Sequence, residues 1–169
     1  MKLKYLLVVL TFFVSSCASV LPEPKAWMEK GASLTHYKAF EVLPVQDETG
    51  NKARSDFLFK QLVAKLRAKG YSVQSASAQE EETLLLRSVV VAFEVDRGVG
   101  PFGAARCTVR TALLDKKTGR LLGEMVTSKV STGRGVEGGI FFGPLGTVLE
   151  LVAEGIADEL ERRIKQPQS

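Results

Sequence analysis

The sequence has few of the residues on which catalytic and metal sites are usually built. It contains one histidine, His36, and two cysteines, Cys17 and Cys107. A metal site needs several ligands at short spacing, and no such spacing surrounds His36. Catalysis needs positioned acids, bases or nucleophiles, and the sequence brings none together, although carboxylates distant in sequence can still meet in a fold. We therefore predict that the protein is not an enzyme and has no catalytic residue, metal site or cofactor.

The chain also has little excess charge of either sign. Its formal net charge is +4 at pH 7, from 23 Lys and Arg against 19 Asp and Glu. Nucleic-acid binding is typical of a clustered basic face, which this balance does not predict. Segments 98–103 and 133–138 have the glycine spacing of a dinucleotide-binding loop, but that loop must join a strand to a helix in a parallel unit. The sequence predicts no such context for either segment, so we expect neither nucleic acid nor nucleotide as a partner.

No apolar run is long enough for a permanent membrane-spanning helix, but the N-terminus has the features of an export signal. A basic start, Met1–Lys4, precedes a short apolar run, Tyr5–Val14, and two serines lead to Cys17. Val14-Ser15-Ser16-Cys17 resembles the lipobox of bacterial lipoprotein signals, in which the cysteine is acylated and becomes the first residue. The alternative is an ordinary secretory signal in which the cysteine occurs by chance.

The lipobox resemblance implies an organisation of the chain and a location. Residues 1–16 are predicted to be the signal peptide, residues 17–34 the lipidated cysteine with a tether, and residues 35–166 a single domain. Acyl chains on Cys17, such as palmitate, would anchor the protein to a membrane. In an organism with two membranes, Ala18 and Ser19 lack the aspartate that retains lipoproteins on the inner one, so we expect the outer membrane, facing the periplasm. Trp27 and Met28 could dock on the domain or lie at the lipid interface.

The domain is predicted to be α+β. Alternating and helical periodicities give the order β-α-β-β-β-β-α, with a mixed or mainly antiparallel sheet and two amphipathic helices packed on one face. The predicted strands are 37–45, 71–73, 84–97, 105–115 and 120–131, and the predicted helices are 52–69 and 147–165. Gly123 is expected to mark a bulge in the last strand.

The pairing of the first two long strands is predicted from their alternation. Folding the chain about Pro101 puts Phe93 opposite Val109, Val95 opposite Cys107 and Asp96 opposite Arg106. The same alternation predicts a single core face that carries Val89, Val91, Phe93 and Val95. Cys107 is then a small buried hydrophobic residue rather than a reactive thiol.

Three segments of the domain resemble the small bacterial lipoproteins of domain-of-unknown-function family 4410. They are Tyr37–Pro44, Gly70–Val73 and Leu113–Gly119, and the likeness covers about residues 35–162. More distantly, the order of elements is similar to the N-terminal domain of TolB and to the curli-secretion channel lipoprotein. These resemblances imply an α+β sandwich with a role in envelope assembly rather than catalysis. The channel role is not implied, because the sequence lacks a long pair of membrane-crossing hairpins.

Two glycine-rich loops are expected at the same end of the sheet, and both are apolar for loops. They are predicted to form a partner-binding patch of six residues: Val99, Phe102, Ile140, Phe141, Phe142 and Leu145. The alternative is that these side chains pack on each other or beneath the last helix.

The function that these observations favour is that of a lipid-anchored, non-catalytic envelope lipoprotein. Its domain would be a protein-binding or assembly-accessory module that binds another protein or itself. The alternative is a periplasmic carrier that holds a small apolar ligand or lipid between the helices and the sheet.

Overall fold

The computed structural model describes residues 26–74, 82–96, 102–134 and 144–165. Their elements follow the chain as seven strands and two helices, which confirms the predicted α+β class. In chain order they are β1 (Trp27–Met28), β2 (Ala39–Val42), β3 (Gln46–Asp47), α1 (Lys52–Ala68), β4 (Ser72–Gln74), β5 (Thr83–Asp96), β6 (Phe102–Asp115), β7 (Leu121–Arg134) and α2 (Pro144–Lys165).

The strands form one mixed sheet in the order β1-β7-β6-β5-β2-β4, and β3 also pairs with β5. β5, β6 and β7 are antiparallel neighbours, whereas β2 and β3 run parallel to β5. The strand predicted over residues 37–45 is therefore the shorter β2, and β3 follows it beside β5 where the sequence predicts no strand. The Leu43 amide still donates to the Leu86 carbonyl at 3.0 Å, but Pro44 has no amide hydrogen, and regular pairing resumes only at Gln46.

Both helices pack on one face of this sheet and on each other. The Asn51 side chain accepts from the Arg54 amide and begins α1, and Gly70, with φ +86°, follows its end. The core-facing residues of the helices are fully buried in one hydrophobic cluster with the sheet: Leu58, Leu62, Leu66, Val148, Leu149, Val152, Ile156 and Leu160. The predicted amphipathic stripes are confirmed.

The predicted register of β5 and β6 is wrong by two residues. Phe93 lies opposite Cys107, and Glu94, not Asp96, lies opposite Arg106. Val91 is bulged, since Val90 pairs with Val109 and Ala92 with Thr108.

The bulge at Val91 also reverses the alternation along β5. Before it the buried residues are Thr83, at the start of the strand, and then Leu84, Leu86, Ser88 and Val90 in alternation, and after it Phe93 packs against the core. The predicted core face, which joined Val89 and Val91 to Phe93, is therefore wrong, because an extra residue exchanges the two faces of a strand.

Residues before the predicted domain boundary at 35 are part of the fold. β1 pairs with β7, with Trp27 opposite Glu124 and Met28 opposite Gly123. Leu34 is 1% exposed in the hydrophobic core. Residues 27–34, which the sequence assigns to the tether, therefore pack on the domain, because burying these apolar side chains stabilises them there.

Candidate functional site

Most of the predicted partner patch lies outside the described residues, as does the predicted lipidation site. This holds for Cys17, Val99, Ile140, Phe141 and Phe142. Phe102 and Leu145, which were predicted to lie in loops, are the first residue of β6 and a residue in the first turn of α2. Leu145 is partly buried against the core, as the alternative interpretation expects for that side chain. The patch as a whole stays a prediction.

Cys107 lies inside the domain, where the second half of β5 faces β6. Its side chain is fully buried, and burial raises the pKa of the thiol to about 12 against a small opposing effect of Arg54. A thiol with this pKa is almost entirely protonated near neutral pH, and the thiolate is the nucleophilic form. Cys107 is therefore a core residue, as its strand pattern predicts.

A buried ion pair joins β3 to α1. Arg54 Nε lies 2.6 Å from Asp47 Oδ2, and the two side chains are 9% and 3% exposed. The Arg54 guanidinium also lies over the Phe93 ring, 3.9 Å from its centre. Burial opposes ionisation of Asp47, but hydrogen bonds from Arg54 and Thr49 outweigh it and lower the pKa of this carboxyl. The ion pair fixes α1 against the sheet. Because the Asp47 carboxylate is bonded to Arg54 and Thr49, it is not available to accept a proton.

A second polar cluster lies in a cavity of about 430 Å³ between the N-terminal segment and the β6–β7 turn. Tyr37 Oη donates to Asp115 Oδ2 at 2.6 Å, and Asp115 Oδ1 accepts from the Thr118 amide and hydroxyl. The Tyr37 bond, followed by those from Thr118, lowers the pKa of Asp115. Burial and the same carboxylate raise the pKa of Tyr37. At neutral pH both groups therefore keep their usual charge states, and the pair holds the turn against the N-terminal segment.

The composition of the chain does not predict either polar cluster. Tyr37 and Asp115 are 78 residues apart in sequence. Asp47 and Arg54 are close in sequence, and an acid seven residues before a base near a helix start could have indicated a pair. Within the four described ranges, no group of three or more metal-ligating side chains occurs. Nor does any helix among those residues have the length and hydropathy to cross a membrane.

The sheet face opposite the helices is a mixed surface of apolar and charged side chains. Val89, Arg110 and Val126 form one cross-strand row, and Glu94, Arg106 and Val130 form another. Val130 is 50% exposed. Arg110 lies 3.7 Å from Glu48 and 3.8 Å from Glu124. We call this surface the open face.

Among the described residues, β7 has a neighbour on its outer side near its start, where β1 pairs with Gly123 and Glu124 and the Glu29 amide donates to the Leu122 carbonyl. Beyond them a groove of about 230 Å³ follows the strand and is lined by Ala26, residues 125–129, Gly155 and Glu159. A long strand edge presents backbone donors and acceptors that another extended segment can pair with.

Comparisons with known proteins place the fold among bacterial proteins. No protein-family model matches the chain, and no curated protein matches it, so the resemblance to family 4410 stays a prediction. A PelC dodecamer from Paraburkholderia phytofirmans is similar in structure, with a TM-score of 0.59 and 17% identity, over 84% of this chain and 98% of that one. A hypothetical protein from Chlamydia trachomatis matches with a TM-score of 0.52 and 10% identity, over 76% of this chain and 98% of that one.

A third similar structure comes from Xanthomonas campestris and belongs to domain-of-unknown-function family 330. Its TM-score is 0.51 at 12% identity, over 80% of this chain and 87% of that one. At these identities the likenesses establish the fold, which is shared along nearly the full length of the similar chains.

Proposed function

We propose that the protein is a lipid-anchored, non-catalytic lipoprotein of the bacterial envelope whose domain assembles with further copies of itself. The observation that supports self-assembly is the open face. Rows of apolar and charged side chains lie there, on the sheet surface that the helices leave uncovered. The anchor is Cys17, and the expected location is the outer membrane on its periplasmic side.

The composition of the open face favours a protein partner. Exposed Val130 and half-buried Val89 and Val126 supply apolar area, while Arg106 and Arg110 supply a cation type that is enriched in protein interfaces. A partner with the same surface could pair these cations with Glu94 or Glu124. The similar PelC structure is a dodecamer, and most soluble oligomers are closed assemblies of one chain.

We also propose that the protein catalyses no reaction. Within the described ranges, the carboxylates with lowered pKa values are held by neighbouring donors: Asp47 by Arg54, Asp115 by Tyr37, Glu159 by Arg162 and Glu161 by Lys165. The buried thiol of Cys107 is protonated at neutral pH. These groups contribute to stability, which is the commoner role of buried ionic and polar clusters outside an active site.

The self-association is tested by the mass of the detergent-solubilised mature protein in solution. Val130→Glu puts a charge on the open face, and we expect it to lower the measured mass from that of an oligomer towards that of a single chain. Leu151→Glu is the matched control, because Leu151 is an exposed apolar residue on α2 and is 36% exposed. We expect this control to keep the parent mass. Light scattering coupled to size exclusion measures both. A parent that is a single chain at every concentration contradicts the assembly, as does a Val130→Glu variant that assembles like the parent.

The carrier function has less support from the geometry. Side chains between the helices and the sheet, such as Phe40, Leu62 and Ile156, are fully buried in one contiguous cluster. The cavity of about 430 Å³ lies elsewhere, beside the N-terminal segment, and is lined by polar groups including Asp115 and Arg120. We therefore do not propose an apolar ligand.

A further inference from the structure

Two cross-strand rows of the open face have complementary side chains. The Ala112 row consists of Arg87 on β5, Ala112 on β6, Glu124 on β7 and Trp27 on β1. The Arg106 row consists of Glu94 on β5, Arg106 on β6 and Val130 on β7. We infer that the open face of one copy binds the open face of a second copy across a two-fold axis that exchanges these two rows. The inference rests on the proposed self-association and specifies its geometry.

Both rows lie on the sheet surface that faces away from the helices. Arg87 alternates along β5 with the buried residues Leu86 and Ser88, so its side chain lies on the open face. Trp27 precedes Met28, which packs against the core, so the Trp27 side chain lies on the open face as well. The two rows are about six residues apart along β6, which is a distance of about 20 Å.

On β5 the exchange of the two rows brings opposite charges together. Arg87 and Glu94 are both exposed, and Arg87 of each copy lies over Glu94 of the other. Because a two-fold axis repeats every contact, the interface contains this ion pair twice. Opposite charges that meet across an interface select its register, since a register that brings like charges together costs free energy.

On the β7 side of the open face the same exchange brings exposed apolar side chains together. Trp27 is 42% exposed and Val130 is 50% exposed. Val130 belongs to the Arg106 row, and Trp27 belongs to the Ala112 row one strand further out. Trp27 of each copy therefore lies beside Val130 of the other. Tryptophan is enriched among the residues that carry most of the binding free energy of an interface.

The cations of β6 distinguish between the two directions that the axis can take. Sheets that pack face to face keep their strands within about 30° of each other, so a two-fold axis runs either along the strands or across them. An axis along β6 would put Arg106 on Arg106 and Arg110 on Arg110 of the second copy. An axis across the strands, between Thr108 and Arg110, puts Arg110 over Thr108 and Arg106 over Ala112. The second direction superposes no two cations of β6, and it is the direction that exchanges the two rows.

Charge reversal tests the ion pair in the detergent-solubilised mature protein. We expect Arg87→Glu and Glu94→Arg each to weaken self-association at least about tenfold, because each variant puts like charges together at two places. We expect the variant that combines both changes to associate within about threefold of the parent, because it restores opposite charges at both places. Lys60→Glu combined with Asp56→Arg is the matched control, since both residues are exposed on α1, and it should associate like the parent. Light scattering over a range of concentrations measures all of them.

The outcomes separate this inference from the proposed function on which it rests. A parent that is a single chain at every concentration contradicts both. If Val130→Glu lowers the mass but Arg87→Glu and Glu94→Arg do not, the open face binds other copies in a different geometry, and the two-fold pairing is overturned alone. A combined variant that associates as weakly as the single variants also overturns the pairing.

A distance between two copies tests the axis without any change to the open face. Lys117 is exposed in the β6–β7 turn, so Lys117→Cys can carry a spin label, whereas the thiol of Cys107 is buried. With the axis across the strands each label lies about eight residues from the axis, and the two labels are about 50 Å apart. With the axis along β6 they would be roughly 15 Å apart, because packed sheets are separated by about 10 Å. Double electron–electron resonance measures the distance, and a value near the shorter one overturns the inference.

Discussion

At the scale of single residues, the Asp47–Arg54 pair is a buried contact between the sheet and a helix. Both side chains are nearly fully buried, and the loss of one partner leaves the other charge without compensation in a medium of low polarity. The pair joins β3 to α1, and the Phe93 ring covers the guanidinium. Its contribution is therefore to hold the helix layer on the sheet.

We expect Asp47→Asn to lower the free energy of unfolding by about 3 kcal/mol at pH 7. The pKa of Asp47 is lowered in the folded state, so its stabilising effect is present above the unfolded pKa, about 3.9, and is lost as the pH falls through the folded value. The difference between parent and variant should therefore shrink below about pH 4. Urea unfolding across pH measures it, with Asp56→Asn, an exposed change on α1, as the control. A difference that does not depend on pH would contradict this account of the pair.

Cys107 gives a second test at the scale of one residue. With a pKa raised to about 12 by burial, only about one thiol in ten thousand is ionised at pH 8. We expect no measurable alkylation by iodoacetamide in the folded mature protein, and full alkylation in urea. Arg67→Cys, an exposed position on α1, should react at once and serves as the control. Rapid labelling of Cys107 in the native protein would show that the strand interior is open.

At the scale of elements, β1 is held where Gly123 allows it to approach β7. A Cβ on residue 123 would lie 2.5 Å from Met28 Sδ and 2.7 Å from the Trp27 carbonyl oxygen. The sulfur can move, but the carbonyl oxygen moves only with the backbone of β1. Close packing of β1 therefore favours glycine at position 123. The strand irregularity that the sequence predicts at Gly123 lies at the neighbouring Leu122.

We expect Gly123→Ala to lower the free energy of unfolding by about 1–3 kcal/mol and to speed exchange of the Glu29 amide, which is bonded to the Leu122 carbonyl. Gly155→Ala is the comparison. There the closest contact is the flexible end of Lys129, and the gain in helix propensity, about 1 kcal/mol, offsets the crowding. Denaturant unfolding and amide exchange distinguish the two. A Gly123→Ala variant as stable as the parent would mean that β1 does not need this close approach.

The sequence predicts elements better than the relations between them. Periodicity and turn residues located both helices and all three long strands to within about three residues, because those signals are local. The β5–β6 register was missed because local alternation does not fix where the two strands begin to pair: Asp96 lies opposite Ala104, not Arg106. The faces of β5 were missed because nothing in the sequence marks Val91 as a bulge. The two polar clusters were missed for a similar reason: Tyr37 meets Asp115 only once the sheet has formed. The predicted lipidation site and most of the predicted loop patch lie outside the described residues and stay predictions.

At the scale of the whole molecule, the protein is proposed to be a domain with a contact surface, the open face, and a lipid anchor at Cys17. The open face is proposed to bind further copies of the chain. This assembly has a role in the envelope only if the chain is exported and acylated.

The mass of the native protein's N-terminus tests that condition most directly. The protein is extracted from the membranes of the cells that make it, and its N-terminal peptide is measured by mass spectrometry. The account predicts a peptide that begins at Cys17 and carries fatty acyl groups. An intact, unacylated leader beginning at Met1, in protein recovered from the cytosol, would contradict it.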